Sequence, residues 1–457
     1  MSAATPLADA SELAASFAGQ ILRPADHGYD EARKVHNGLI DKRPALIARC
    51  LGVADAADAL RAARDHGLEV AIRGGGHNVA GRATTDGGLM IDLSLMRGVH
   101  VDQAARTARA QGGATWKEFN RETQLFGLAT TGGVVSSTGV AGLTLGGGLG
   151  WLMGKHALAL DNLLSAEVVL ADGRIVNASA EENPDLFWAL RGGGGNFGVV
   201  TSFEYRLHPV GPIITGGIVA WPFAAAYDVL RHFRDLTASL PDELTVFGGL
   251  VHAADGSGEK LAAMVMCHCG SPDDGELAVA PAKRFGTPVV DAVGPIPYCQ
   301  LNSMLDGAYP WGALNYWKSS FLAGLSDDAI RAMIDCFAKC PTPMGQLLLE
   351  HFHGAVTRVG VTDTAFPHRA EGCNMLVLSE WMDQHQTESC TAWARESFDA
   401  LRPYMGAGRY VNYFGTDERG DAISAAYGPN HERLQRVKAK YDPGNLFRLN
   451  QNVLPTA

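Results

Sequence analysis

Apolar residues recur along this chain with two periods, and the switches between them lay out its elements. Residues 44–51 hold an apolar run that reads as a strand, and residues 53–66 are Ala-rich with apolar positions at helical spacing. Gly67 sits where a C-cap glycine belongs. Strands are predicted over 68–72, 87–93 and 106–111, and an amphipathic helix over 116–126. Residues 166–171 and 174–178 flank Asp172-Gly173, a pair that suits a type I′ hairpin. A short helix is predicted over 185–191. From 213 to about 408, strand-like runs (213–220, 244–250, 260–268, 346–352, 374–381) alternate with helices (224–239, 327–340, 391–405). That pattern suggests an antiparallel sheet covered by helices on one side. Composition shifts at Pro209-Val210-Gly211-Pro212, and the last fifty residues look distinct again. The expected divisions are 1–212, 213–408 and 409–457, in an α+β fold.

Three glycine clusters interrupt the first 200 residues. Arg73-Gly74-Gly75-Gly76-His77-Asn78 directly follows a strand. Successive free N–H groups in such a turn form a nest for an anion, and a dinucleotide pyrophosphate is the expected occupant. His77 would stand at its rim as base, ligand or nucleophile. Residues 130–152 read as extended backbone with few side chains, suited to lie against a long cofactor. Gly146-x-Gly148-x-Gly150 lacks the preceding strand and later acid of a nicotinamide-binding fingerprint, and Gly154-Lys155 is followed by His156, which rules out a P-loop. The third cluster runs from Gly192 to Gly195 and is followed by Asn196-Phe197-Gly198.

Composition narrows the partners. The 38 basic and 49 acidic residues give a net charge of −11, without the basic footprint that nucleic acid or an anionic membrane requires. Met1-Ser2-Ala3-Ala4-Thr5-Pro6 lacks the pattern of a signal peptide, and no run reaches the length of a membrane span. Eight cysteines are scattered without a matched zinc pattern, so no metal is expected and buried free thiols are. A cytoplasmic protein fits.

Five marks, in order, carry a resemblance: the 73–78 turn, the glycine segment ending at Trp151, Lys155-His156 with Asp161-Asn162, Leu190-Arg191 with the third cluster, and the C-terminal Tyr441-Asp442-Pro443-x-Asn445-x-Phe447-Arg448-x-Asn450-x-Asn452. The chain resembles the berberine-bridge-enzyme-like branch of the vanillyl-alcohol-oxidase flavoproteins. The resemblance implies a PCMH-type FAD-binding domain of two α/β subdomains, a substrate domain whose large antiparallel sheet roofs the flavin, and a C-terminal segment returning to the FAD domain. It implies FAD contacts from Arg73, Gly74, Gly75, Gly76, His77, Asn78 and Gly81. From the second cluster it implies Gly132, Gly133, Val135, Ser136, Ser137, Gly139, Gly142, Gly146, Gly147, Gly148, Gly150 and Trp151. Gly198, Val199, Val200, Asn450 and Asn452 complete the set. It further implies a covalent bond from His77 to the flavin 8α-methyl. Many relatives carry a second tether, a cysteine four residues before the Gly139–142 pair. Here Val135 stands there, so a single tether is expected.

Flavin oxidation removes a hydride from a carbon bearing O–H or N–H while a base takes the heteroatom proton. Tyr410, Asn412 and Tyr413 match the residues lining the flavin's substrate face, with Tyr413 the preferred base and Tyr410 next. In a strand, 410 and 412 would share one face and 411 and 413 the other. Glu350, His351 and His353 either reach the active-site roof or serve structure. Phe366-Pro367-His368-Arg369 reads as structural, and Trp311, Trp317 and Trp381 are candidate pocket walls or core. The expected activity is an FAD-dependent oxidase of a small alcohol or amine, with dioxygen as reoxidant and a monomer or homodimer as the working unit. A carbohydrate C1 oxidase, a tailoring oxidase of secondary metabolism, or a flavin-loaded binding protein without turnover are the alternatives.

Overall fold

The computed structural model describes Leu13 and residues 16–418 and 421–456; residues 1–6, where a signal peptide was considered, lie outside them. The first sheet has three parallel strands, Leu46–Arg49, Leu89–Asp92 and Val70–Arg73, with Gln20–Leu22 antiparallel at one edge. The helix Val53–Asp65 buries its alanines against it, and Gly67 adopts φ +64°, as a helix-ending glycine should. The second sheet is antiparallel, in the order Val99–Asp102, Thr107–Gln111, Val199–Arg206, Leu163–Val169, Ile175–Ser179.

Two expectations are corrected here. The turn at Asp172-Gly173 is not type I′, because only Gly173 has positive φ (+88°). The loop holds three residues, with Leu170 accepting from the Gly173 N–H and donating to the Arg174 carbonyl, and such a loop needs one left-handed residue rather than two. Residues 130–152 are not extended throughout, since Val140–Gly146 forms a helix in their middle. Val140, Ala141, Thr144 and Leu145 on it are buried, and that burial outweighs the low helix propensity of its glycines.

The third sheet has eight antiparallel strands, with Ile213–Pro222, Lys260–His268, Leu244–His252, Gln346–Phe352, Gly372–Trp381 and Leu314–Phe321 side by side in that order. The strand Leu314–Phe321 and the helix Pro272–Lys283 were not anticipated from the sequence. Helices Ala226–Thr237, Asp327–Ala338 and Thr387–Leu401 cover one face, packing on Val246, Met264, Leu349, Met375 and Val377. Alternation sends Phe247, Val265, Leu348, Leu376 and Leu378 to the other face, which roofs a cavity. The C-terminal helix His431–Tyr441 returns to the first half of the chain, where Leu434 and Val437 join the core around Phe197 and Trp188. No helix among the described residues is long and apolar enough to cross a membrane.

Candidate active site

Between the glycine clusters and the roof lies a cavity of about 830 Å³. Its floor is the turn after the strand Val70–Arg73 and the loop before the helix Val140–Gly146. The two cross so closely that a Cβ on Gly75 would lie 2.5 Å from the Gly139 backbone, and one on Gly139 2.4 Å from Gly75. Only glycine permits that approach. Among the described residues, the N–H groups from Gly74 to Asn78 donate to no carbonyl or side chain, which leaves a run of free donors suited to a pyrophosphate. The lining therefore fits an extended dinucleotide.

His77 faces this space. Its Nε2 lies 3.2 Å from Ser137 Oγ, and its ring stacks on that of His36 at 3.9 Å with 21° between planes. Burial, reinforced by His36, depresses its pKa to about 3, so the imidazole is neutral with a free lone pair. Val135 lines the cavity beside Val79 and Trp317.

The chemistry-bearing side chains sit opposite. Val411–Tyr413 is a 3-10 turn rather than a strand, which overturns the alternation expected for 410–413. Tyr413 and Asn412 open onto the cavity. Tyr413 Oη donates to Glu350 Oε1 at 2.6 Å, and Asn374, the cross-strand partner of Glu350, donates from Nδ2 to Oε2 at 2.7 Å. Burial raises the Glu350 carboxyl to about 7 despite these bonds. The Tyr413 hydroxyl is pushed well above its usual value, by burial first and then by Glu350. Tyr410 lies behind the lining, where its oxygen accepts from the Gly148 N–H at 3.0 Å and from Asn412 Nδ2 at 3.0 Å.

Gly74, Gly76, Asn78, Gly133, Gly142 and Trp151 also line the cavity, as do Gly198, Val200 and Asn450. The other sequence-derived positions stand outside the lining. Arg73 donates to the Ala32 carbonyl at 2.6 Å, Gly81 packs on Ile40, and Gly132 and Gly150 abut one another. Gly146 lies against Asn412, Gly147 and Gly148 against Tyr410 and Ala159, and Val199 in the first sheet's core. Ser136 donates from N and Oγ to the Asp306 carboxylate at 2.8 and 2.6 Å, and Asn452 Oδ1 has no partner among the described residues. His351 and His353 stack on each other on the far face, away from the cavity. Trp317 lines it, Trp381 lies in the helix-covered core and Trp311 is exposed. Arg369, which is buried, pairs with the half-buried Asp161 at 2.7 Å. Arg82, Gln346 and Tyr309 join the lining without a sequence signal, since each is a lone polar residue in no motif, and Gln451 joins it from a variable position of the C-terminal motif.

Comparison with known proteins decides the family. Residues 44–179 match the FAD binding domain family, and residues 409–454 match the family described as berberine and berberine like. (R)-6-hydroxynicotine oxidase of Paenarthrobacter nicotinovorans is 33% identical, over 96% of this chain and 97% of that protein. The chain belongs to the berberine-bridge-enzyme-like FAD-linked oxidases. Glucooligosaccharide oxidase of Sarocladium strictum is 31% identical over 94% of this chain and 91% of its own. The crystal structure of 6-hydroxy-D-nicotine oxidase from Arthrobacter nicotinovorans superposes with a TM-score of 0.89 at 31% identity, covering 98% of this chain and 100% of that one. This member is thus an FAD-dependent oxidoreductase with the α+β architecture of its PCMH-type relatives.

Proposed function

We propose that FAD lies along the glycine floor, tethered once through His77, and that the enzyme oxidises a small, largely apolar alcohol or amine with dioxygen as electron acceptor. On this reading residues 1–212 and 409–457 form the cofactor unit, and residues 213–408 supply the roof. The protein works in the cytoplasm as a monomer or homodimer, and its eight free cysteines suit a reducing compartment.

The observation that carries the reading is the Tyr413–Glu350 hydrogen bond inside the cavity. Bound FAD supplies the hydride acceptor and the route for electrons to dioxygen. The substrate's O–H or N–H proton passes to Tyr413 Oη as Tyr413 gives its own to Glu350 Oε1. A carboxyl at about 7 is matched to that task near neutral pH. Asn374 fixes the carboxylate from its second oxygen. Asn412 and Asn450 bring amides to the same space, held by the Leu143 and Gly195 carbonyls.

The roof selects the substrate. Phe247, Val251, Val265, Leu348, Leu376 and Leu378 face inward, and among the lining residues only Arg82 and Glu350 carry formal charge. Arg82 is engaged by the carbonyls of Leu449 and Asn450. A sugar would leave several hydroxyls unpaired against that surface, whereas a flat apolar molecule with one polar hydrogen would not. Mixing the yellow protein anaerobically with amines, alcohols and sugars tests this. Bleaching by an apolar amine or alcohol is expected. A spectral shift without bleaching across the panel identifies a binding protein, and bleaching by sugars alone contradicts the substrate class.

A further inference from the structure

His36 lies outside every motif, yet its ring stacks directly on that of His77. It is 2% exposed, and its ring covers one face of His77 at 3.9 Å. We propose that His36 is a positioning residue for the flavin tether, its flat ring fixing the plane of the His77 imidazole during formation of the bond to FAD. The inference rests on the single-tether reading above.

His36 is itself held from several sides. Its Nε2 lies 3.1 Å from the Tyr309 carbonyl, and since a carbonyl only accepts, that nitrogen carries the hydrogen. Its backbone N–H donates to the Gly76 carbonyl and its own carbonyl accepts from the Gly312 N–H, both at 3.0 Å. Trp311 meets the ring edge-on at 5.6 Å. His77, by contrast, has one side-chain partner, Ser137 Oγ. Without the stack, the imidazole would keep a single hydrogen bond about which to pivot. With it, ring plane and lone-pair direction are both set. Burial depresses both imidazoles' pKa values, so neither adds a charge that would repel the other.

The bond in question joins one imidazole nitrogen to the 8α carbon. One hydrogen leaves each, and the two protons and two electrons reduce dioxygen to hydrogen peroxide. His36 enters neither count. It acts on orientation, where a displacement of about 1 Å costs up to roughly a hundredfold in rate.

The test compares wild type, His36→Ala and His36→Phe, the last keeping a flat ring but losing the donor to Tyr309. Each full-length protein is expressed under riboflavin limitation and incubated aerobically with FAD. Bound FAD is read from absorbance, tethered FAD from intact mass after acid denaturation, and folding from Tm. The expected result is FAD binding in all three, tethering slowed roughly tenfold to a hundredfold in His36→Ala, and near-wild-type tethering in His36→Phe. Tethering at the wild-type rate in His36→Ala overturns the proposal, as does His36→Phe behaving like His36→Ala. If His36→Ala does not fold, His36→Leu replaces it, with the same two readings. A wild type that binds FAD without any tether refutes the earlier single-tether reading instead, so the two failures are distinguishable.

Discussion

Tyr410 and Tyr413 meet edge to face with 4.9 Å between ring centroids, yet only Tyr413 opens onto the cavity. Their environments predict different losses. Tyr413→Phe removes the hydroxyl between substrate and Glu350. It is expected to slow anaerobic flavin reduction by about 10²–10⁴-fold while FAD stays bound, as stopped-flow absorbance would read. Tyr410→Phe instead strands the Gly148 N–H and takes one of the two acceptors of the Asn412 amide, leaving it the Leu143 carbonyl. It is expected to cost roughly 1–3 kcal/mol in chemical denaturation, with flavin reduction changed far less. The sequence named both tyrosines by family resemblance and preferred Tyr413, but gave no geometric ground for the preference, because no hydrophobic pattern announces a single 3-10 turn. Glu350 was ambiguous for a related reason. Its strand is covered on both faces, so Leu347, Leu348 and Leu349 are all apolar and parity alone does not say which face meets the cavity.

At the scale of elements, the crossing of the two glycine loops and the strand Gly372–Trp381 make separate demands. Gly75→Ala puts a methyl 2.5 Å from the Gly139 backbone, which has no flexible end to give way. FAD content, read as the ratio of flavin to protein absorbance, is expected to fall at least about tenfold, as the free donors of the turn are displaced. The sequence read the glycine clusters as a place for a long cofactor, and in the structure glycines from all three line the cavity. The helix within the second cluster was not legible, since its stability comes from burial rather than propensity. On the strand, Glu380 is fully buried and neither carboxyl oxygen has a partner among the described residues, so burial raises its pKa to about 8. A raised folded-state value means stability is fully present below the unfolded value near 4.5 and is lost as pH rises through about 8. Glu380→Gln is expected to flatten this decline. Relative to pH 5, the variant should gain roughly 3–5 kcal/mol on wild type by pH 9 in urea titrations.

Across the whole molecule, the roof is fastened to the floor by a few polar clamps. Asp306 holds the Ser136 backbone and hydroxyl, Asn302 donates to the Gly133 carbonyl at 2.6 Å, and Asn37 donates to the Asn315 carbonyl at 2.9 Å. The Arg369–Asp161 pair, with its guanidinium buried, joins the two halves on another side. Arg369→Met leaves the Asp161 carboxylate with the Leu158 N–H but no cation beside it, and is expected to cost about 3–5 kcal/mol in chemical denaturation. The order of elements and the family were legible from motif order, whereas the clamps were not, because each pairs residues distant in sequence that belong to no motif. The account turns on whether the substrate's proton ends on Glu350. The deciding measurement is the rate of anaerobic flavin bleaching from pH 5.5 to 9 in wild type and Glu350→Gln, with a substrate from the amine and alcohol panel that does not titrate over that range. Wild type should rise about tenfold per pH unit and level off above about 7, where Glu350 is ionised, while the variant should be slow and flat. A variant that keeps the wild-type rate and the same inflection would contradict it.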